Sequence, residues 1–235
     1  HGDPLDLADR VFLFNRTVRE TALRHGIFAT FMAKPMETEP GSAMHIHQSV
    51  NDLHTGKNIF SQADGQDTPV FLHCIAGMQK YVPQVMPMFA PYVNSFRRLT
   101  RHMSAPINVR WGLDNRTCGI RVPKSGPQAR RLENRVPGVD VNPYLAMAAT
   151  LACGYLGMIE QQQPSVAMSG SAWDLDHELP RHLEDAIERM RACEPMREVL
   201  GPAFVDAFCA VKELEYATYN RVISSWEREH LLLLV

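Results

Sequence analysis

The sequence predicts an α+β fold, and three observations carry that prediction. Helical and strand-like segments interleave irregularly along the 235 residues, without the βαβ rhythm of a doubly wound sheet. Neither an internal repeat nor a long linker divides the chain. Asn142 to Glu160 reads as a helix apolar on every side, which belongs in the middle of a large core. With 45% hydrophobic and 21% charged residues the chain can bury such a core, which excludes a disordered or low-complexity polypeptide.

The elements follow from local signals. Residues 3–24 form a helix: Asp3 caps it, Pro4 suits its first position, and Leu7, Val11, Phe14 and Val18 recur at helical spacing. Gly26 ends it, and the β-branched and aromatic run from Ile27 to Ala33 reads as a strand, stopped by Lys34-Pro35. Residues 36–42 are a turn-rich loop, 43–50 a second strand, and 51–68 a polar hairpin and loop. Pro69 to Tyr81 is helical, after which Pro83, Pro87 and Pro91 break any regular element. Short strands are expected at 107–113, 119–122 and 131–136, and a helix opens at Asn142-Pro143. Residues 164–180 are loop, and two helices follow near 182–193 and 202–230.

Several function classes fall away. A net charge of −2 gives no global field for nucleic acid or an anionic membrane. The apolar stretch 144–159 is interrupted by Thr150, Gly154 and Gly157 and is shorter than the ~20 residues of a membrane span. Residues 1–24 are charged throughout, unlike a signal peptide. Five Cys without a C-x-x-C pair exclude a disulfide scaffold and a zinc ribbon, and they fit a reducing, cytoplasmic setting. The chain opens at His1-Gly2-Asp3 without an initiator Met, so a fragment of a longer protein is expected.

The charge is unevenly spread. Between Arg97 and Arg135, nine Arg and one Lys stand against only Asp114 and Glu133. Arg presents a planar fork to carboxylate or phosphate oxygens, whereas Lys is a point charge. An anion site is the sharper reading of this window, and a solvated basic face the plainer one. In the strand 43–50, His45 and His47 share a face with Ser49, because side chains alternate with period two. Two imidazoles and a hydroxyl make a metal or phosphate surface, or simply a hydrogen-bonded sheet face. Arg131, Glu133 and Arg135 likewise share a face, either as cation and anion ligands or as a structural ion-pair ladder. Gly41 precedes the histidine strand, where a glycine lets backbone approach a ligand closely. Several Arg, a few metal ligands and a Gly-supported backbone together describe phosphoryl transfer to a carboxylate, or else a metal-dependent hydrolase.

The segments Ala29-Thr-Phe-Met-Ala-Lys-Pro35, Gly41-Ser-Ala-Met-His-Ile-His-Gln-Ser49, Asn94-Ser-Phe-Arg-Arg-Leu99, Asp114-Asn-Arg-Thr-Cys-Gly-Ile-Arg-Val-Pro123, Arg130-Arg-Leu-Glu-Asn-Arg135 and Asn142-Pro-Tyr-Leu145 resemble successive motifs of the glutamine synthetase catalytic domain. They occur in order and cover most of residues 1–160, while residues 161–235 match only in helical character. The resemblance implies an antiparallel curved sheet packed with helices, Mg²⁺ or Mn²⁺, ATP as co-substrate, and a ring-like homo-oligomer, a dodecamer. It implies no nucleic-acid or membrane partner. The implied activity joins the γ-carboxylate of glutamate to an amine through a γ-glutamyl phosphate.

Position by position, His45 and Glu133 resemble ligands of one divalent ion. His47, Ser49 and Arg131 resemble nucleotide contacts, and Arg116 and Arg121 the phosphate-side arginines. Gly41, Arg98 and Arg135 resemble the glutamate site, with Arg98 and Arg116 in the catalytic role. Where glutamine synthetases proper carry a Glu that handles ammonium, this chain has Ser104, and Trp111-Gly-Leu-Asp-Asn-Arg116 is closer in wording to the γ-glutamylpolyamine and γ-glutamylputrescine synthetase branch. A polyamine or other alkyl amine is therefore expected as acceptor; ammonia, or a non-catalytic structural relative, are the alternatives. Pro40 replaces a familiar Asn and Gln128 a familiar Lys. The chain is expected to be the C-terminal part of the catalytic domain, without the N-terminal β-grasp domain and first catalytic strands. Alone, it is expected to be inactive.

Overall fold

The computed structural model describes residues 1–101 and 103–234. Helix α1 spans Pro4–Arg24, with the Asp3 carboxylate accepting from the Leu5 and Asp6 amides. Strand β1 is Ile46–Gln48, and α2 is Pro69–Tyr81, capped by the Thr68 hydroxyl. Two short helices follow, α3 (Met86–Phe89) and α4 (Val93–Arg98), then β2 (Trp111–Leu113), β3 (Ile120–Val122) and β4 (Leu132–Asn134). The remaining elements are helices, α5 (Pro143–Glu160), α6 (Leu183–Ala192), α7 (Glu194–Leu200), α8 (Pro202–Tyr219) and α9 (Ser225–Leu231).

The four strands form one sheet in the order β1-β4-β3-β2. β1 and β3 each run antiparallel to β4, while β2 runs parallel to β3, so the sheet is mixed. It packs on the layer formed by α2 and α5, and the core includes Phe60, Phe71, Ile75, Met78, Ile120, Leu132 and Ala149.

The structure departs from the sequence reading where pairing is long-range. Residues 27–33 form no strand. Phe28 is 91% exposed, and the segment is instead held at its end, where Lys34 and Asn94 exchange two hydrogen bonds of 2.8 and 3.0 Å. A β-type composition becomes a strand only against a neighbour. The expected 43–50 strand contracts to β1 plus an isolated bridge from Ala43 to Gly138. In 107–113 the Ile107 carbonyl accepts from Glu178 and Leu179, so only 111–113 joins the sheet.

Helix α5 buries two faces but exposes a stripe at Leu151, Tyr155 and Ile159. The expected 202–230 helix breaks after Tyr219 and restarts at a Ser224–Glu227 capping box. Helix α7 was hidden in sequence by Pro195, which here occupies a first turn instead of ending a helix.

The Asn142 carbonyl side chain accepts from Tyr144 N at 3.0 Å and Leu145 N at 3.3 Å, fixing where α5 begins. Asn142→Ala is expected to lower stability by about 1 kcal/mol. Thermal unfolding should register this as a fall of about 2–4 °C.

Candidate active site

Sheet register builds the site. His47 lies opposite Glu133 across β1 and β4, and Glu133 opposite Arg121 across β4 and β3. The three side chains therefore form a row on one face. His45, two residues before His47, falls opposite Arg135, two after Glu133, on that same face. Ile46 and Gln48 point the other way and are buried, while His45, His47 and Ser49 are exposed.

Glu133 is the centre, with only 2% of its side chain exposed. Its Oε1 lies 3.0 Å from His45 Nδ1 and accepts from Arg135 Nη1 at 2.8 Å; its Oε2 accepts from Arg121 Nη1 at 2.5 Å. Burial alone would raise the pKa of this carboxyl. The bonds from His45, Arg121 and Arg135 outweigh it and hold the group well below the usual carboxylate range. Arg121 is gripped from behind by Asp114, whose Oδ1 accepts from Arg121 Nε at 3.0 Å. Arg131 Nε donates to His47 Nδ1 at 3.2 Å. Burial lowers the His47 pKa; the Glu133 charge opposes this, while Arg131, His45 and Arg121 add to it.

Arg98 sits apart from this row, 3% exposed, and donates to the Val136 carbonyl. Its aliphatic stem packs beneath Gly41, where a Cβ would collide with both the Arg98 side chain and the Ala33 carbonyl. Gly41 and Arg98, two of the residues that the resemblance assigns to the glutamate site, thus touch. The Nε of Arg98 and of Arg135, like those of Arg110 and Arg130, is buried without a hydrogen-bond partner among the described residues. An unpaired buried N–H costs about 1–3 kcal/mol, which an anionic ligand would recover.

A cavity of about 810 Å³ opens beside the row, lined among others by His45, His47, Ser49, Gln128, Arg131 and Met147. Arg116 is the sequence-derived residue that the structure leaves aside. It is exposed in the 114–119 turn and makes no hydrogen bond or ion pair among the described residues. Ser104 is exposed too, with its backbone in the left-handed region at φ +66°.

Asp114 was missed by the sequence reading as a site residue. It also has a positive φ, +50°, where β2 turns away, and the neighbouring Asn115 side chain accepts from Thr117 N at 3.0 Å. The Asp114-Asn115 pair is a turn signal that tolerates this backbone, and it was the available clue.

The residues present offer two of the donors that one divalent ion would need. His45 Nδ1 and Glu133 Oε1 are spaced like adjacent corners of an octahedron with bonds of about 2.1 Å. Among the described residues no cluster of three or more His, Cys, Asp or Glu side chains is placed to hold an ion. Nor, among them, is any helix long and apolar enough to cross a membrane.

The family model for the catalytic domain of glutamine synthetase matches residues 1–231. Type-1 glutamine synthetase 2 of Dictyostelium discoideum is 38% identical over 242 residues, covering 98% of this chain and 46% of that protein. Gamma-glutamylputrescine synthetase of Escherichia coli (strain K12) is 36% identical over 230 residues, covering 97% and 48%. A solved structure, a GmaS/ADP complex, superposes with a TM-score of 0.88 at 33% identity over 98% of this chain and 55% of that one. The chain spans about half the length of these relatives. A family match that runs through every residue of the Glu133 row, on a fold that superposes almost end to end, makes this chain a member of the glutamine synthetase family, within its catalytic domain.

Proposed function

We propose that this chain is the C-terminal part of a glutamine synthetase-type catalytic domain, in a longer enzyme that ligates the γ-carboxylate of glutamate to an alkyl amine at the expense of ATP. The observation that carries the reading is Glu133 held by His45, Arg121 and Arg135 at 3.0, 2.5 and 2.8 Å, a dense cationic frame around one carboxylate. A buried ion-paired cluster of this kind adds little net stability, which favours a functional use for it.

In this reading Arg98, Arg135 and Gly41 receive glutamate, and the unpartnered Nε groups of the two arginines are suited to carboxylate oxygens. His47, Ser49 and Arg131, beside the cavity, face the nucleotide, a role consistent with the ADP-bound neighbour. Arg116 and Arg121 meet the phosphates; the exposure of Arg116 leaves it free to turn toward a ligand. A Mg²⁺ or Mn²⁺ ion held by His45 and Glu133 would supply charge neutralisation at the phosphoryl group.

Glutamate attacks the γ-phosphorus, ADP leaves, and a γ-glutamyl phosphate forms. The guanidiniums offset the charge that develops on the transferring group. The amine nitrogen then attacks the carbonyl carbon, phosphate departs, and the nitrogen gives up a proton. Ser104 offers that amine no negative charge, which favours an alkyl amine over ammonium. Relatives of both kinds match at 38% and 36% identity, so overall similarity does not choose between the acceptors.

The test is phosphate release by the full-length protein at fixed glutamate and ATP, with putrescine, spermidine, ethanolamine or ammonium. The expected result is faster release with at least one alkyl amine than with ammonium. A strong preference for ammonium would defeat the Ser104 argument, and no release with any amine would defeat the ligase reading.

A further inference from the structure

Arg98 is a buried cation that the site reading assigns to the substrate, and a buried charge needs a counter-charge. Burial lowers its pKa to about 10, so at pH 7 it remains charged, with Arg135 adding repulsion. Among the described residues it forms no ion pair within 4.0 Å, and its hydrogen bond goes to a neutral carbonyl, that of Val136.

The carboxylate whose charge acts on Arg98 is Asp140, on the segment that leads into α5 and beyond ion-pair distance. Asp140 Oδ2 accepts from the Ser95 hydroxyl at 2.6 Å. That hydroxyl in turn accepts from the Tyr92 amide at 3.0 Å. Because an amide can only donate, the hydroxyl proton is committed to Asp140, and the carboxylate is fixed in one orientation. Ser95 is on α4, one turn before Arg98. The other Asp140 oxygen, Oδ1, is buried without a hydrogen-bond partner among the described residues, as is Arg98 Nε. Gly138 makes room for this arrangement, since a Cβ there would strike Asp140 Oδ1. Burial raises the Asp140 pKa; the Ser95 hydroxyl and then the charges of Arg98 and, from α8, Lys212 act against that rise. Lys212 already has Glu215 at 2.7 Å and stands over the Tyr92 ring, leaving Arg98 as the cation without its own acid.

We propose that Asp140, oriented by Ser95, is the positioning residue for Arg98: it holds the guanidinium charged and aimed at the substrate carboxylate without touching substrate itself. This rests on the reading of Arg98 as a glutamate contact.

The experiment is steady-state kinetics on the full-length protein carrying Asp140→Asn. The glutamate KM should rise about tenfold or more, with the ATP KM and kcat changed far less. Ser95→Ala should act in the same direction more weakly, and it carries the test should Asp140→Asn fail to fold. In an Arg98→Lys background, Asp140→Asn should add little, because the two residues act as one unit. Lys212→Met should leave the glutamate KM unchanged. An unaltered glutamate KM in both Asp140→Asn and Ser95→Ala, full additivity with Arg98→Lys, or a Lys212→Met variant that reproduces the effect would each overturn the inference while leaving the ligase reading standing. A wild-type protein that releases no phosphate removes that reading and the inference with it.

Discussion

Replacing Glu133 with Gln is expected to lower amine-dependent phosphate release by the full-length protein about 10³-fold and to cost about 3 kcal/mol of folding stability. The two effects share a cause. Glu133 is nearly fully buried and is the common acceptor for Arg121 and Arg135. A Gln there keeps the shape but loses the charge, and its amide N–H groups face guanidinium N–H groups. Arg121 retains Asp114, so the loss should sit at the low end of the range for breaking a buried pair, about 3–5 kcal/mol. In a domain of this size that is a fall in Tm of about 6–12 °C. Activity suffers more because Gln binds a divalent ion poorly and no longer balances the arginines around the phosphoryl group. Calorimetry and a phosphate-release assay on the same preparation separate the effects. A variant that keeps wild-type turnover would remove Glu133 from the chemistry, whatever its Tm.

The parts of this fold that were legible in sequence are those set by neighbours along the chain. Asp3-Pro4, Thr68-Pro69 and Asn142-Pro143 each place a side-chain cap before a helix with Pro in its first turn, and α1, α2 and α5 begin there. Period-two alternation placed His45 with His47, and Arg131 with Glu133 and Arg135, on common faces. The distances within the cluster were not legible, because they depend on the β1–β4 register, which joins residues some ninety positions apart. For the same reason Arg116 and Arg121 looked equivalent in sequence. Only the fold shows that Arg121 lies in the Glu133 row while Arg116 projects from a turn. The packing of Gly41 on Arg98 was equally hidden: a glycine before a strand says that something comes close, not what.

The crossing of α2 and α5 should be the least tolerant place in the protein. A Cβ at Gly77 would lie 2.5 Å from the Gly157 Cα and 2.6 Å from its amide nitrogen, and a Cβ at Gly157 would meet the Gly77 backbone at the same two distances. Both obstacles are backbone, so neither can swing aside as a side chain would. Gly77→Val is therefore expected to cost about 3 kcal/mol, the upper part of the usual range for overpacking. Gly77→Ala should cost somewhat less, since Ala recovers about 1 kcal/mol of helix propensity. The damage should reach the site. The Thr150 hydroxyl on α5 accepts from Asn134 Nδ2 at 3.1 Å, and Asn134 follows Glu133 in β4. Prising α5 from α2 thus pulls on the strand that presents the carboxylate. Gly126→Ala is the matched control: a Cβ there meets nothing within 4 Å, and its change should stay within about 0.5 kcal/mol. Thermal unfolding of the three variants orders them. If Gly77→Val melts with the wild type, the two helices do not cross at these glycines, and the support this crossing gives to Glu133 must come from elsewhere.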